Sequence, residues 1–101
     1  MNTNLEALVK KIKLGDDEAF PKLYNLTYRQ IFFVIIPITK NQALAEDIVQ
    51  DTYLKFLKKI DDYKAKNVLS YLITIAKNMA INEYNRLKRV TKVDDFDSFS
   101  Y

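Results

Sequence analysis

The sequence predicts an all-α fold, a compact bundle of about four helices. Three observations carry this. The chain has one glycine and two prolines in 101 residues, too little turn-forming material for hairpins. Half its residues are apolar (49%) and 29% are charged, which suits a folded chain with its own core. At least three stretches repeat apolar residues at helical spacing, and none alternates in the manner of a strand.

The first element spans Asn4 to Leu14, with Leu5, Leu8, Val9 and Ile12 on one face. Gly15 is its stop. Asp16 or Asp17 is the expected cap of a second helix, with Glu18 in its first turn and Pro21 near the start. This helix carries Phe20, Leu23, Tyr24, Ile31, Val34 and Ile35. It is apolar nearly all round beyond Ile31, so it should be the most buried element. Pro37 should kink or end it near Ile36, because proline lacks a backbone donor and clashes with the preceding turn.

Thr39 to Gln42 is a polar connection, and Asn41 is the expected cap of the central helix, Leu44 to Ile60. At about 100° per residue, Ala45, Ile48, Val49, Thr52, Tyr53, Phe56, Leu57 and Ile60 fall on one arc. The opposite stripe holds Asp47, Gln50, Asp51, Leu54 and Lys58. Two carboxylates and an amide around an outward leucine suit a docking surface. The same pattern also suits a solvated face with one exposed leucine.

Asp61 to Asn67 (DDYKAKN) is the next connection, and Asn67 can cap a last helix from Val68 to about Arg89. Leu69, Leu72, Ile73, Ala76, Met79, Ala80, Tyr84 and Leu87 form its core face. On another side Tyr71, Asn78, Asn82 and Arg89 fall within about 40° of one another, flanked by Thr74, Lys77, Asn85 and Lys88. A ring that stacks, amides that read edges and cations that hold phosphates have the chemistry for single-stranded nucleic acid. The alternative is a tyrosine packed at a helix boundary beside amides that face water. Val90 to Tyr101 has three aspartates and no helical period, so it reads as a tail or the start of a linker.

Charge separates along the chain. From Lys55 to Lys92, ten Lys and Arg face three Asp and Glu, an excess of +7. The remainder holds six and ten, an excess of −4. The division suggests one surface for a polyanion and another for a different partner.

The chain has no cysteine and no histidine, which removes disulfides, thiol chemistry and imidazole bases. There is no glycine-rich phosphate loop and no nucleophile with a base, so no enzymatic activity is expected. Asp47 and Asp51 make a poor cation site without further oxygen ligands. No metal or cofactor is expected. The absence of cysteine fits a cytoplasmic protein. Ile31 to Ile38, the most apolar run, is too short to span a bilayer.

The residues also carry a resemblance. AEDIVQDTYLKF resembles the region 2.2 signature of bacterial RNA polymerase sigma factors, especially the extracytoplasmic-function group. SYLITIAKNMAINEYNRLKR resembles regions 2.3 and 2.4, and DDEAFPKLYNLTYRQIF resembles region 2.1. The likeness runs from about Asp16 to Arg89. It implies a region 2-like domain, residues 1–89, followed by a tail or linker over 90–101. The implied partners are the clamp coiled coil of the largest subunit of the RNA polymerase core, and the non-template strand of promoter DNA at the minus-ten element. An anti-sigma factor is a further partner that the resemblance admits, and no membrane is implied.

Residue by residue, Asp47, Gln50 and Asp51 stand where the family contacts the clamp, with Leu54 beside them. Asp51 replaces the commoner glutamate. Tyr71 stands where the group usually has tryptophan, Lys77 at the usual arginine, and Asn78 at the family's asparagine. Asn82 replaces an aspartate and Asn85 an arginine, while Arg86, Lys88 and Arg89 keep the basic helix end. Lys64, Lys66 and Asn67 belong to the connection where the family captures an unstacked promoter base. Pro37 is unusual for the second helix. No helix-turn-helix for the upstream promoter element follows Arg89. The competing expectation is a small helical adaptor whose polar stripes both bind proteins, without a role in DNA.

Overall fold

The computed structural model describes the backbone of residues 4–64 and 66–98, and the side chains of residues 4–64 and 66–88. Within these, four helices follow one another: α1 Leu5–Lys13, α2 Ala19–Thr39, α3 Gln42–Lys58 and α4 Val68–Ser98. A short 3-10 turn, Ile60–Asp62, lies between α3 and α4. There is no strand among the described residues, and the predicted all-α bundle is the observed architecture.

Each helix is punctuated by side chains at its ends. The Asn4 side chain accepts from the Glu6 and Ala7 amides and opens α1. At the other end the Gly15 amide donates to the Ile12 carbonyl, and the Asp16 amide to that of Lys11, both at 3.0 Å. This double closure turns the chain back, and it requires the left-handed conformation that Gly15 adopts, with φ at 89°. Asp16 does not cap α2 directly. Its carboxylate accepts the Glu18 amide at 2.9 Å, an Asx turn one step ahead, and Glu18 takes the cap position without a side-chain bond. The Asn41 and Asn67 amide side chains accept from the Leu44 and Ser70 amides at 2.9 and 3.0 Å, so both caps stand as the sequence predicts.

α2 packs against α1, α3 and α4, and α3 also packs against α4. The buried residues of α2 recur every fourth position: Ala19, Leu23, Thr27, Ile31 and Ile35. In α4 they are Val68, Leu72, Ala76 and Ala80. These rows meet the arc of α3 formed by Ala45, Ile48, Val49, Thr52, Tyr53 and Phe56. The predicted phase of the central helix is therefore correct. Leu57 and Ile60 sit half-buried at its margin.

Four further sequence expectations give way. The helix does not end at Pro37 but runs on to Thr39. The proline lacks only the bond to the Phe33 carbonyl, and both residues are exposed, outside the packed face of the helix. The stop comes at Lys40, in the left-handed region at φ 54°, whose amide donates to the Ile36 carbonyl at 2.8 Å. Nor is the end of α2 buried all round: Phe33 is 64% exposed, because the bundle covers only the arc of Ile31 and Ile35. Tyr84 and Leu87, expected in the core, are exposed, since α4 has by then passed the ends of its neighbours. Finally, α4 continues to Ser98 instead of stopping at Arg89. No proline or glycine interrupts that stretch, and aspartate costs a helix only about 0.7 kcal/mol.

Buried polar groups are paired. Thr27 and Thr52 each donate to the carbonyl four residues back, Leu23 and Ile48, at 2.8 Å. Because the single Thr27 proton goes to Leu23, its close partner Tyr53 must be the donor in the bond between their hydroxyls. Burial, the largest cause, pushes the Tyr53 phenol up to about 12. Among the described residues no buried side-chain polar atom lacks a partner.

Two outcomes are expected. Phe56 is fully buried, so Phe56→Ala should cost about 3–5 kcal/mol, a large part of a small domain's stability. Chemical denaturation measures this, and a near-wild-type midpoint would refute the packing. Tyr53→Phe should cost about 0.5–1.5 kcal/mol at neutral pH, one lost hydrogen bond. Its second effect is on pH dependence. Unfolded tyrosine releases its proton near pH 10, whereas native Tyr53 holds it to about 12. The Tyr53 contribution is thus complete below the unfolded value and falls as pH rises through that window. Urea titrations across the window should show the wild-type advantage over Tyr53→Phe shrinking; a constant difference would contradict the assignment.

Candidate functional site

The helices α3 and α4 run in opposite directions and leave a groove between them. At one end Asp47, Asp51, Leu44 and Ile48 of α3 line a depression with Met79, Asn82 and Glu83 of α4. Further along, Lys55 of α3 and Lys59, the residue that ends it, face Tyr71, Ile75, Asn78, Met79 and Asn82. Asn82 and Met79 are common to both parts. The groove therefore changes sign along its length, from carboxylates to ammonium groups, over the span of α3.

The outer stripe of α3 is exposed as the periodicity predicts: Asp47, Gln50, Asp51 and Leu54 all face away from the core. Leu54 is 63% exposed. It lines an open depression with Asp51, Lys55, Leu57 and Lys58, so the outward leucine has an apolar neighbour in Leu57.

On α4, Tyr71 is half-buried at the boundary between elements. Its ring packs edge-on against Tyr63 and Phe56, with centroids 5.0 and 6.1 Å away. Its remaining surface lines the basic groove on one side and a second depression on the other, formed with Lys66, Asn67, Ser70, Thr74 and Ile75. The structure thus gathers Tyr71, Asn78 and Asn82 in one place, and Tyr71, Lys66 and Asn67 in the adjoining one. Lys64 is exposed on the connection, and Lys77, Arg86 and Lys88 are exposed along α4. The Arg89 side chain lies outside the described residues. Arg86 donates through Nε to the Glu83 carboxylate at 3.1 Å, and this bond holds that carboxyl below its usual value.

Lys55 and Lys59 escaped the sequence reading. Their position at the end of α3 was visible, but only the pairing of α3 with α4 sets them opposite Tyr71. Tyr63 was also missed. It lies in the polar connection yet is buried. Its hydroxyl donates to Glu6 Oε1 at 2.8 Å, and its carbonyl accepts from Lys13 Nζ at 3.0 Å. Burial first, then the Glu6 carboxylate, push its phenol well above the usual tyrosine value.

No group of acidic residues among those described is arranged to hold a metal. No helix of the described residues is long and apolar enough to cross a membrane.

Residues 21–90 match the family model for sigma-70 region 2. Similar full-length proteins include the ECF RNA polymerase sigma factor SigK of Mycobacterium sp. (strain KMS), 25% identical over 81% of this chain and 44% of its own length. The ECF RNA polymerase sigma factor BldN of Streptomyces coelicolor is 29% identical over 76% of this chain and 30% of its own. The ECF RNA polymerase sigma factor SigM of Bacillus subtilis is 24% identical over 73% and 45%. The chain thus spans less than half the length of these curated relatives. No solved structure matches it. With the matched segment covering α2, α3 and most of α4, and with them both walls of the groove, the chain belongs to the sigma-70 region 2 family.

Proposed function

We propose that this chain acts in transcription initiation, joining RNA polymerase core to promoter DNA through opposite ends of the α3–α4 groove. The observation that carries the reading is the change of sign along that groove, with Tyr71 and two asparagines at its basic end. The relatives named as RNA polymerase sigma factors support the choice of partners.

In this reading the exposed stripe of Asp47, Gln50, Asp51 and Leu54 meets the clamp coiled coil of the largest polymerase subunit. Short carboxylates held on a rigid helix suit basic partners in a desolvated interface, and Leu54 supplies an apolar anchor. DNA contacts the other end. Reading a base within a duplex is difficult for a helical domain of this size, whereas a base already leaving the stack presents its whole edge. Lys66 and Asn67 line the depression beside Tyr71, with Lys64 exposed on the same connection, and an unstacked base of the non-template strand at the minus-ten element would lodge there. Tyr71 offers ring surface, and Asn78 and Asn82 offer donors and acceptors to base edges or sugar. Lys77, Arg86, Lys88 and Arg89 would follow the phosphates, with Arg86 shared between DNA and Glu83.

The polymerase half is tested with Asp47→Ala and Gln50→Ala. Each should weaken binding to RNA polymerase core by about 1–3 kcal/mol without moving the melting temperature, since both side chains are exposed. Unchanged binding in both folded variants would sink the docking assignment.

The DNA half separates two kinds of variant, assayed with polymerase holoenzyme on pre-opened promoters. Lys88→Ala should weaken binding to every sequence and flatten the salt dependence by about one phosphate contact, a slope change of roughly 0.7–0.9. Lys64→Ala should instead change the preference among minus-ten sequences. Asn67→Ala is the less clean probe, because Asn67 also caps α4 and its loss costs about 0.5–2 kcal/mol. If Lys64→Ala and Lys88→Ala behave alike across sequences and salt, the basic end is only an electrostatic platform.

A further inference from the structure

The connection that leads into α4 is gripped at both ends by α1, which lies ahead of the matched family segment. One carboxylate does most of this. Glu6 Oε1 accepts the Tyr63 hydroxyl at 2.8 Å, and Glu6 Oε2 accepts the Val68 amide at 2.9 Å. Tyr63 and Val68 bracket Lys64, Lys66 and Asn67. Lys13, two turns along the same helix, donates to the Tyr63 carbonyl at 3.0 Å and lies 5.8 Å from its ring centroid.

We propose that Glu6 is a positioning residue for base recognition, fixing where Lys64, Lys66 and Asn67 stand relative to Tyr71. This rests on the reading that Lys66 and Asn67 line a base pocket and that Lys64 stands beside it on the same connection.

The physical case is one of freedom removed. A short polar connection has many conformations, and a contact made by its side chains is weakened by the need to order them. Here the order is built in beforehand. Val68 is the first residue of α4, and its amide is one of the donors that a helix start leaves without an internal partner. A carboxylate satisfies it, and that charge also suits the positive end of the helix dipole. The second oxygen holds a buried tyrosine whose ring packs 5.0 Å from that of Tyr71. Both bonds span more than fifty residues of sequence, so local turn chemistry cannot replace them. Among the described residues the clasp makes no hydrogen bond to the polymerase stripe or to Lys77, Arg86 and Lys88, so core affinity and salt slope should survive its loss.

The test uses the full chain bound to RNA polymerase core. The probe is duplex DNA with an unpaired, randomised non-template segment. Wild type, Glu6→Ala, Glu6→Gln, Tyr63→Phe and Lys64→Ala are compared for core affinity, salt slope and base preference. Amide hydrogen exchange at Val68 and across the connection is read in parallel. Glu6→Ala should speed exchange there and erode the preferred base by about tenfold, the scale of one mismatched position. Its core affinity and salt slope should match wild type. Glu6→Gln keeps one acceptor oxygen and should fall between. A Glu6→Ala chain with faster exchange and an unaltered base profile would overturn the proposal, since the clasp would then be structural only. If Glu6→Ala fails to fold, Tyr63→Phe decides, because it leaves the Val68 bond in place. An unaltered profile in that variant also overturns it. A wild-type chain without base preference, or a Lys64→Ala chain with the wild-type profile, refutes the pocket reading itself and the proposal with it.

Discussion

The basic end of the groove rests on the ring of Phe56. This side chain is fully buried, yet its neighbours are Tyr63 and Tyr71, with centroids 5.9 and 6.1 Å away. Tyr63 anchors the connection and Tyr71 faces both depressions. One core aromatic therefore sets the position of the two residues that shape the site. Interiors packed at crystal-like density transmit such displacements rather than absorb them. A shortened side chain here would leave a cavity directly beneath Tyr71, so stability and site geometry are coupled at this one position.

A second aromatic cluster sits away from the site and has a different task. Phe20, Tyr24 and Tyr53 join α2 to α3, with Tyr24 and Tyr53 centroids 4.7 Å apart. The hydroxyl bond from Tyr53 to Thr27 lies in the same contact. An apolar pair of the same shape would pack as well, but it would tolerate sliding along the helix axis. A buried hydroxyl must find its partner or lose a hydrogen bond in a low dielectric, which penalises other registers. The pairing thus contributes alignment of α2 with α3 as well as free energy.

Local rules made much of this legible in the sequence. The phase of α3 followed from spacing alone, because its apolar arc and polar stripe are both long and regular. Asn41 and Asn67 were legible as caps, since a short amide before a helical run has few other uses. Pro37 misled because the rule for proline assumes an interior position, whereas here the residue is exposed and stands two residues before the helix end. Tyr84 and Leu87 misled because periodicity reports a face, not how far the neighbouring helices reach. Ser98 lies well beyond the expected end because aspartates weaken a helix without stopping it. The remaining errors share one cause. Lys55, Lys59 and Tyr63 acquire their roles only when elements distant in sequence meet, as does Glu6 with Val68, and no local pattern records such a meeting.

The charge separation read from composition becomes a statement about geometry once the fold is in place. An excess of +7 between Lys55 and Lys92 could have been spread over all sides of two helices. Antiparallel packing instead sets Lys55 and Lys59, at the end of α3, against the Tyr71 end of α4, and sets Asp47 and Asp51 against Asn82 and Glu83. Fields from opposite charges screen each other within roughly 8–10 Å at physiological salt. Three turns of helix, about 16 Å, separate Asp47 from Lys58, so the far ends act as distinct potentials, while Asp51 and Lys55, one turn apart, lie where the sign changes. A polyanion approaching the acidic end meets repulsion, and one approaching the basic end meets attraction and a ring to stack upon. Under the proposed function, such a field would orient a bound strand before any hydrogen bond forms. Asn82, which lines both parts of the groove, suits the point where the sign changes. Amides both donate and accept, and carry no charge that either end would have to offset.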